Sequence, residues 1–228
     1  MLKIRPNLSA IRKERLNRFF NRFKDRETCE KVLFQLISNK QKHLLECPHC
    51  QSSSTVRFGK YRDRQRYKCQ SCLRTFNDLT NTPLHYTHSP LKWIKFIHCL
   101  IQKLTLAATC CEIKISYATA HYWRHKIIHA LEHLNPNLIK EVPCPNSYPY
   151  ICVRQYPPNF HGNVHDKMEF ANWIRSFNWI AKRFANRYIA WFQFVQKLDL
   201  SQDLEAIKNM LFSACSIPLV QTYETVKT

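Results

Sequence analysis

Glycine is nearly absent from this sequence of 228 residues, which contains only Gly59 and Gly162. Loops that wrap phosphate groups need several glycines close together, so Walker-type and dinucleotide-binding loops are excluded. Turns that require a positive φ at glycine must also be few. The shortage of glycine therefore favours a helix-rich chain.

Long apolar segments are missing too. No run of about 20 apolar residues occurs, so we expect no transmembrane helix and no membrane partner. The N-terminus is polar and basic and lacks the apolar stretch of a signal peptide, which predicts a reducing cytoplasmic location. The 11 cysteines are then expected to be thiols or metal ligands rather than a disulfide framework.

Acidic residues are scarce relative to basic ones, and the formal net charge is +19. Residues 1–140 contain 26 Lys and Arg against 9 Asp and Glu, a net charge of +17, whereas residues 141–228 contain 9 against 7, a net charge of +2. This asymmetry favours a polyanion, namely nucleic acid, as the partner of the front of the chain. The alternative is a solvated basic surface that aids solubility.

Two cysteine pairs with metal-ligand spacing lie in the basic part of the chain. Cys47-Pro48-His49-Cys50 and Cys69-Gln70-Ser71-Cys72 are separated by 18 residues. Four thiolates suit a tetrahedral Zn²⁺ ion, and the spacing is typical of a zinc ribbon, which we predict over residues 47–80. Such a zinc ion would be structural, because so small a unit buries little surface without it.

Basic residues crowd the predicted ribbon, where we expect three short strands. We predict that they contact backbone phosphates, and a second interpretation is that their aromatic neighbours stack on single-stranded bases. The predicted phosphate contacts are Arg57, Lys60, Arg62, Arg64, Arg66, Lys68 and Arg74.

Residues 81–134 have the pattern of a helix-turn-helix unit. Ser89-Pro90 predicts the capped start of a first helix, a short helix follows from Leu106 to Glu112, and Ser116 caps a long helix that ends near Leu134. In a helix-turn-helix the start of the second helix enters the major groove. Any pair of helices in a bundle gives a similar pattern. The candidates for contacts with base edges are Tyr117, Thr119, Ala120, His121 and Arg124.

The remaining segments complete the predicted domain organisation. Residues 1–46 read as two amphipathic helices, 135–165 as a proline-rich junction, 166–213 as three helices with an aromatic stripe, and 214–228 as a loose tail. If the aromatic stripe stays exposed, it favours self-association into a homo-oligomer.

Residues 28–134 resemble the N-terminal part of bacterial insertion-sequence transposases that carry a zinc ribbon and a helix-turn-helix. The resemblance rests on both cysteine motifs, on Arg66-Tyr67-Lys68, Arg74-Thr75-Phe76 and Leu79-Thr80-Asn81-Thr82-Pro83-Leu84, and on the stretch 119–127. Residues 177–192 look like the last helices of the catalytic domain of the same family. The resemblance implies binding of double-stranded DNA at terminal inverted repeats, in the bacterial nucleoid.

The catalytic domain of that family is RNase H-like, and its acidic residues hold two Mg²⁺ ions. Residues 135–165 contain no Asp and one Glu, Glu141, so the central acidic strands are missing from this sequence. His165, Asp166 and Glu169 are the remaining candidates for a catalytic ligand. The two carboxylates can equally be first-turn acids that complement a helix dipole, and Mg²⁺ enters only if a catalytic site survives.

The sequence therefore predicts a mainly α protein with a small zinc-ribbon β unit and a helix-turn-helix, from which the RNase H-like catalytic sheet is largely absent. The corresponding function is a truncated transposase that binds element ends without strand transfer. Two alternatives stay open: an active Mg²⁺-dependent transposase and a zinc-ribbon transcriptional regulator.

Overall fold

The computed structural model describes residues 18, 31, 46–61, 64–85, 89–134, 149–155, 157–158, 163–198 and 203–216. The two helices predicted over residues 1–46, the side chain of Arg62 and the predicted tail beyond Ser216 lie outside this part. Of the proline-rich junction, the structure describes 149–155, 157–158 and 163–165.

Helices dominate the described residues, as the sequence predicted. They are α1 Pro90–Ile101, α2 Leu106–Ile113, α3 Tyr117–His133, α4 Val164–Ile174, α5 Ala185–Gln196 and α6 Asp203–Ser216. No helix in this part of the chain is both long and apolar enough to cross a bilayer.

The limits of the helices follow local signals, with one difference. The hydroxyls of Thr105 and Ser116 accept hydrogen bonds from the first turns of α2 and α3, as N-caps do. Ser89 precedes Pro90 at the start of α1, but its hydroxyl makes no capping hydrogen bond, and its backbone carbonyl accepts from the amide of Trp93 at 3.1 Å. The predicted start is confirmed and the predicted capping hydroxyl is wrong.

Two small antiparallel sheets accompany the helices. The first contains β1 Thr55–Tyr61, β2 Arg64–Cys69 and β3 Thr75–Phe76 in that order. The second pairs β4 Tyr150–Cys152 with β5 Trp179–Ala181. Within the described residues, these strands form no sheet wider than three strands.

Strand β5 corrects the prediction for the back of the chain. The three helices predicted over residues 166–213 included Ile180 in a helix. Ile180 instead pairs with Ile151 of β4, and α5 begins only at Ala185. The β-branched Ile151 and Ile180 are both buried where the two strands meet, and this contact between distant segments overrides the local helical spacing.

Left-handed backbone occurs without glycine at several turns. Positive φ is found at Gly59 and also at Gln51, Leu73, Asn81, Lys103, Lys114 and Asn178. The scarcity of glycine thus did not remove such turns, because other residues occupy them. Lys114 ends α2 in this conformation, and the chain reaches the cap of α3 two residues later.

One apolar core joins the helices at the front of the chain to those at the back. Tryptophans of α4 and α5 reach the end of α1: Nε1 of Trp191 donates to the carbonyl of Leu100, and Nε1 of Trp173 donates to the carbonyl of Lys103, both at 2.9 Å. The last carbonyls of a helix lack partners within the helix. These two tryptophans of the aromatic stripe therefore pack on the front half of the chain.

Helix α3 buries three consecutive polar residues against this core. Arg124, His125 and Lys126 are 0%, 1% and 6% exposed. His125 lies on the ring of Phe184, with 4.1 Å between centroids. Burial lowers the pKa of His125 to about 2, and the nearby His121 and Arg187 act in the same direction.

Replacing Trp191 by alanine should lower the free energy of unfolding by about 3–5 kcal/mol, because the residue is fully buried and its removal leaves a cavity. Trp191→Phe retains a ring and loses the indole donor, so a loss nearer 1 kcal/mol is expected. Urea unfolding followed by circular dichroism measures both. Trp179→Ala, at a site 63% exposed, is the control and should change stability by less than about 0.5 kcal/mol. Equal losses for Trp191→Ala and Trp179→Ala would contradict this packing.

Acidification should destabilise the fold through His125. The folded-state pKa of His125 lies below the ordinary value of 6.5, so at acidic pH the unfolded chain binds a proton that the folded chain does not. The free energy of unfolding therefore decreases as the pH falls below 6.5. From pH 7 to pH 5 this residue should account for about 2 kcal/mol.

Urea unfolding of the wild type and of His125→Leu at the two pH values measures this difference. The variant should lose less stability on acidification than the wild type. His165→Leu, whose side chain is 80% exposed, is the control and should behave as the wild type does. An unchanged pH dependence in His125→Leu would show that this imidazole is not buried in its neutral form.

Candidate functional site

The four predicted metal ligands converge at one end of the three-stranded sheet. Cys47 and Cys50 come from the turn before β1, Cys69 ends β2, and Cys72 lies in the turn before β3. Their sulfur atoms all lie within 4.8 Å of one another. In the described part of the chain, no other group of three or more ligand-type side chains is close enough to share an ion.

The geometry of the sulfurs fits a tetrahedral metal ion. The Sγ atoms of Cys47 and Cys72 are 3.6 Å apart, as are those of Cys50 and Cys69. With zinc–sulfur bonds of about 2.3 Å, a regular tetrahedron has sulfur–sulfur edges of about 3.8 Å. All four cysteines are free thiols, so the donor set is available to a metal.

Backbone amides point to two of the sulfur atoms, where a negative charge on the sulfur would be stabilised. The N–H of His49 points to the sulfur of Cys47, and the N–H of Cys72 points to the sulfur of Cys69, both at 3.5 Å. The second contact lowers the pKa of Cys69 to about 6. The backbone hydrogen bond of Ser52 lowers the pKa of Cys50, but desolvation and the other three thiols together outweigh it and raise that pKa to about 12. The four cysteines could therefore hold a metal ion in the way that structural zinc sites do.

Apolar support around the cluster is small. Only Cys47, Cys69 and Phe76 are fully buried there, with Tyr67 stacked on Phe76 at 5.5 Å between ring centroids. This group is separate from the main core. A sheet with so few buried side chains needs a further source of stability, and a bound metal can supply it.

One face of the sheet presents cations around an exposed aromatic ring. The guanidinium carbon of Arg66 and Nζ of Lys68 each lie 5.4 Å from the centroid of Phe58, which is 46% exposed. Arg66 and Lys68 are two residues apart on β2, so they project from the same face. Arg57 and Lys60 are exposed on β1, and Arg74 is exposed just before β3.

Arg64 is placed differently from the other predicted phosphate contacts. Its Nη1 donates to Oδ2 of Asp78 at 2.7 Å, and the Asp78 side chain is 5% exposed. Burial raises the pKa of Asp78, and Arg64 opposes that effect. Arg64 thus attaches the sheet to the segment that leads into the helices, because its charge is matched by a buried carboxylate.

The predicted base-contacting residues of α3 are divided between surface and core. Tyr117 is 61% exposed, Thr119 and His121 are half-buried, and Ala120 is fully buried. Arg124 is 0% exposed, and its Nη2 donates to the carbonyl of Leu104 at 2.8 Å. In this structure neither Ala120 nor Arg124 can reach a base edge, so both positions depart from the prediction.

The position of Arg124 could have been read from the helical period. Ala120, Ile127 and Leu131 are buried, and Arg124 falls on the same stripe at the fourth position after Ala120. A charged side chain is rarely buried without a paired charge, and for that reason the sequence favoured the surface for this arginine.

His165, Asp166 and Glu169 lie together on the first turns of α4. The imidazole nitrogens of His165 are each 3.9 Å from a carboxylate oxygen, one of Asp166 and one of Glu169. The Asn163 side chain caps the helix by accepting from the amide of Asp166 at 2.7 Å. The three side chains are exposed or half-exposed, and Asp166 occupies the first-turn position that was one of its two predicted roles.

The structure also assembles a cavity that the sequence did not indicate. It has a volume of about 540 Å³ and lies between the starts of α2 and α3 and the paired strands β4 and β5. Its walls come from three segments that are far apart in sequence, so no local motif marks it.

Comparisons with known proteins yield one partial similarity. No family model matches the chain. No solved structure matches it. Over 94 residues, which are 40% of this chain, it is 36% identical to a protein of Halobacterium salinarum described as an uncharacterized protein in transposable element ISH50. The matched stretch spans 32% of that relative. Over these residues, the chain is therefore similar to a protein that a transposable element carries.

Proposed function

We propose that this chain is a DNA-binding protein of a mobile element. A cationic sheet, stabilised by a zinc ion, and a helix-turn-helix bind duplex DNA. The observation that carries the proposal is the convergence of the four cysteines at one end of a sheet with cations on its surface, in a chain similar to a transposable-element protein.

The sheet supplies the contacts to phosphates. Five of the seven predicted cations are described and not matched by a buried acid: Arg57, Lys60, Arg66, Lys68 and Arg74. A rigid sheet holds such side chains at fixed spacing, which lowers the entropy lost when the phosphates are bound. These contacts fix orientation on the duplex without reading its sequence.

Helices α2 and α3 would supply the sequence-reading element. They are joined by the short connection that contains Lys114, and the exposed Tyr117 lies at the first position of α3. As a helix-turn-helix, this pair would place Tyr117, Thr119 and His121 toward the major groove. The ends of a mobile element, which are inverted repeats in the resembled family, are the DNA that we expect to be bound.

Strand transfer is not part of this proposal. The carboxylates of Asp166 and Glu169 share one helix face with His165, and the three do not form a group that could hold an ion. A two-metal reaction needs acidic side chains that converge on both ions.

Binding to duplex DNA should weaken steeply with added salt. If the five unmatched cations each neutralise one phosphate, the slope of log K against log salt should be about −4.5. Fluorescence anisotropy with a duplex from an element end measures it. The double variant Arg66→Gln, Lys68→Gln should reduce the slope by about 2, because two contacts are lost.

The matched control is the double variant Lys197→Gln, Lys208→Gln, which removes two positive charges from the back of the chain. The control should leave the slope unchanged. Absence of duplex binding in the wild type, or equal effects of the two double variants, would refute the proposed role of the sheet.

The cysteine cluster should bind one Zn²⁺ per chain, measured by atomic emission on the purified protein. Cobalt substitution should give the intense absorption of tetrahedral thiolate coordination. Removal of the metal by a chelator should unfold the sheet and weaken duplex binding by at least tenfold, because metal binding and folding are coupled.

Cys50→Ser and Cys111→Ser form a matched pair, since both cysteines are exposed thiols and only the first belongs to the cluster. Cys50→Ser should lose the metal and most of the affinity for DNA, and Cys111→Ser should retain both. Full metal content in Cys50→Ser would rule out a four-cysteine site.

A further inference from the structure

The cavity beside the start of α3 combines positive charge with exposed aromatic rings. Its walls include Arg124 and Arg183, and its rim includes Tyr117, Tyr150 and Trp179, which are 61%, 56% and 63% exposed. Scattered exposed apolar side chains are normal, whereas apolar side chains gathered at one opening are typical of an interaction site. The volume of about 540 Å³ lies within the range of about 300–1,000 Å³ that is usual for small-ligand sites.

Arg124 gives the wall of this cavity a charge without a counter-ion. Its guanidinium lies over the rings of Phe177 and Trp191, at 5.4 and 5.1 Å from their centroids. Nε and Nη1 make no hydrogen bond of good geometry, and the polar group beside the guanidinium is the neutral phenol of Tyr188. No carboxylate of the described residues forms an ion pair with Arg124. Since the medium around a buried charge screens it poorly, Arg124 raises the positive potential inside the cavity.

Arg183 brings a second cation to the same cavity, and this one is exposed. Its guanidinium lies 4.7 Å from the centroid of Phe184. A ligand can contact Arg183 directly, whereas Arg124 acts from behind the wall. An anionic group is therefore favoured near Arg183.

The aromatic rim favours a ligand that also presents a flat ring. The exposed ring of Trp179 offers a flat apolar face, which stacks well on nucleobases. In duplex DNA the faces of the bases are covered by their neighbours, so only an unpaired nucleotide can use such rings. Tyr117 also begins α3, so the cavity adjoins the surface that the proposed function assigns to the duplex.

We propose that this cavity binds one nucleotide of an unpaired DNA strand, with its phosphate beside Arg183 and its base against Trp179. The assignment rests on the proposed DNA binding and names the form of DNA that this cavity recognises. A free nucleoside monophosphate has the same chemistry, and the experiment separates the two sources.

The test measures the anisotropy of two labelled probes with the full zinc-loaded chain: a blunt duplex, and the same duplex with a short unpaired thymidine tail. The tail should tighten binding about fivefold or more, as expected for one stacked base. Trp179→Ala should remove this gain and leave the affinity for the blunt duplex unchanged. Arg183→Gln should reduce the gain as well.

Phe212→Ala is the matched control, because Phe212 is an aromatic residue 51% exposed on α6 and outside the cavity. It should retain the full gain from the tail. Trp179→Phe should retain much of the gain too, since phenylalanine also stacks. The quenching of tryptophan fluorescence by the tailed probe should be smaller in Trp179→Phe than in the wild type, which reports stacking independently of affinity.

The outcomes separate the two proposals. Blunt-duplex binding without any gain from the tail would overturn this inference and leave the proposed function intact, whereas no binding of either probe would overturn the proposed function. Tight binding of thymidine monophosphate without a gain from the tail would assign the cavity to a free nucleotide and overturn the choice of an unpaired strand. Retention of the gain in Trp179→Ala would also overturn it.

Discussion

Three side chains from distant parts of the chain donate hydrogen bonds to the carbonyls at the end of α1 and just beyond it. Trp191 donates to Leu100, Trp173 to Lys103 and Arg124 to Leu104, at 2.8–2.9 Å. Carbonyls at a helix end need external partners when they are buried. These three hydrogen bonds hold α3, α4 and α5 against the end of α1 and the residues that follow it. The position of the cavity depends on them.

The two sheets are stabilised in different ways. The strands β4 and β5 meet at Ile151 and Ile180, which belong to the main core, so helix packing supports them. The three-stranded sheet has a separate and much smaller core, formed mainly by Cys47, Cys69 and Phe76. This difference is the physical reason to expect a metal at the three-stranded sheet and none at the pair β4 and β5.

Helical spacing and capping explain most of what could be predicted. The start of α1 at Pro90 and the start of α3 after Ser116 follow from patterns a few residues long, and the structure has both. Two assignments failed where distant segments meet. Ile180 was placed in a helix and pairs with Ile151 in a strand, and Arg124 was placed at the surface and lies beneath Phe177 and Trp191.

The sequence by itself determined the cysteine cluster, because two-residue spacers and an intervening hairpin bring four thiols together through short-range geometry. It also determined where cations are concentrated, since charge is read directly from composition. Only the tertiary structure decided which of those cations are exposed and which face of the aromatic stripe is covered. The tryptophan contacts that cover the stripe join residues 70 and 91 positions apart, and the contacts that bury Arg64 and Arg124 join residues 14 and 20 positions apart. A pattern a few residues long carries no information about a partner at such a distance.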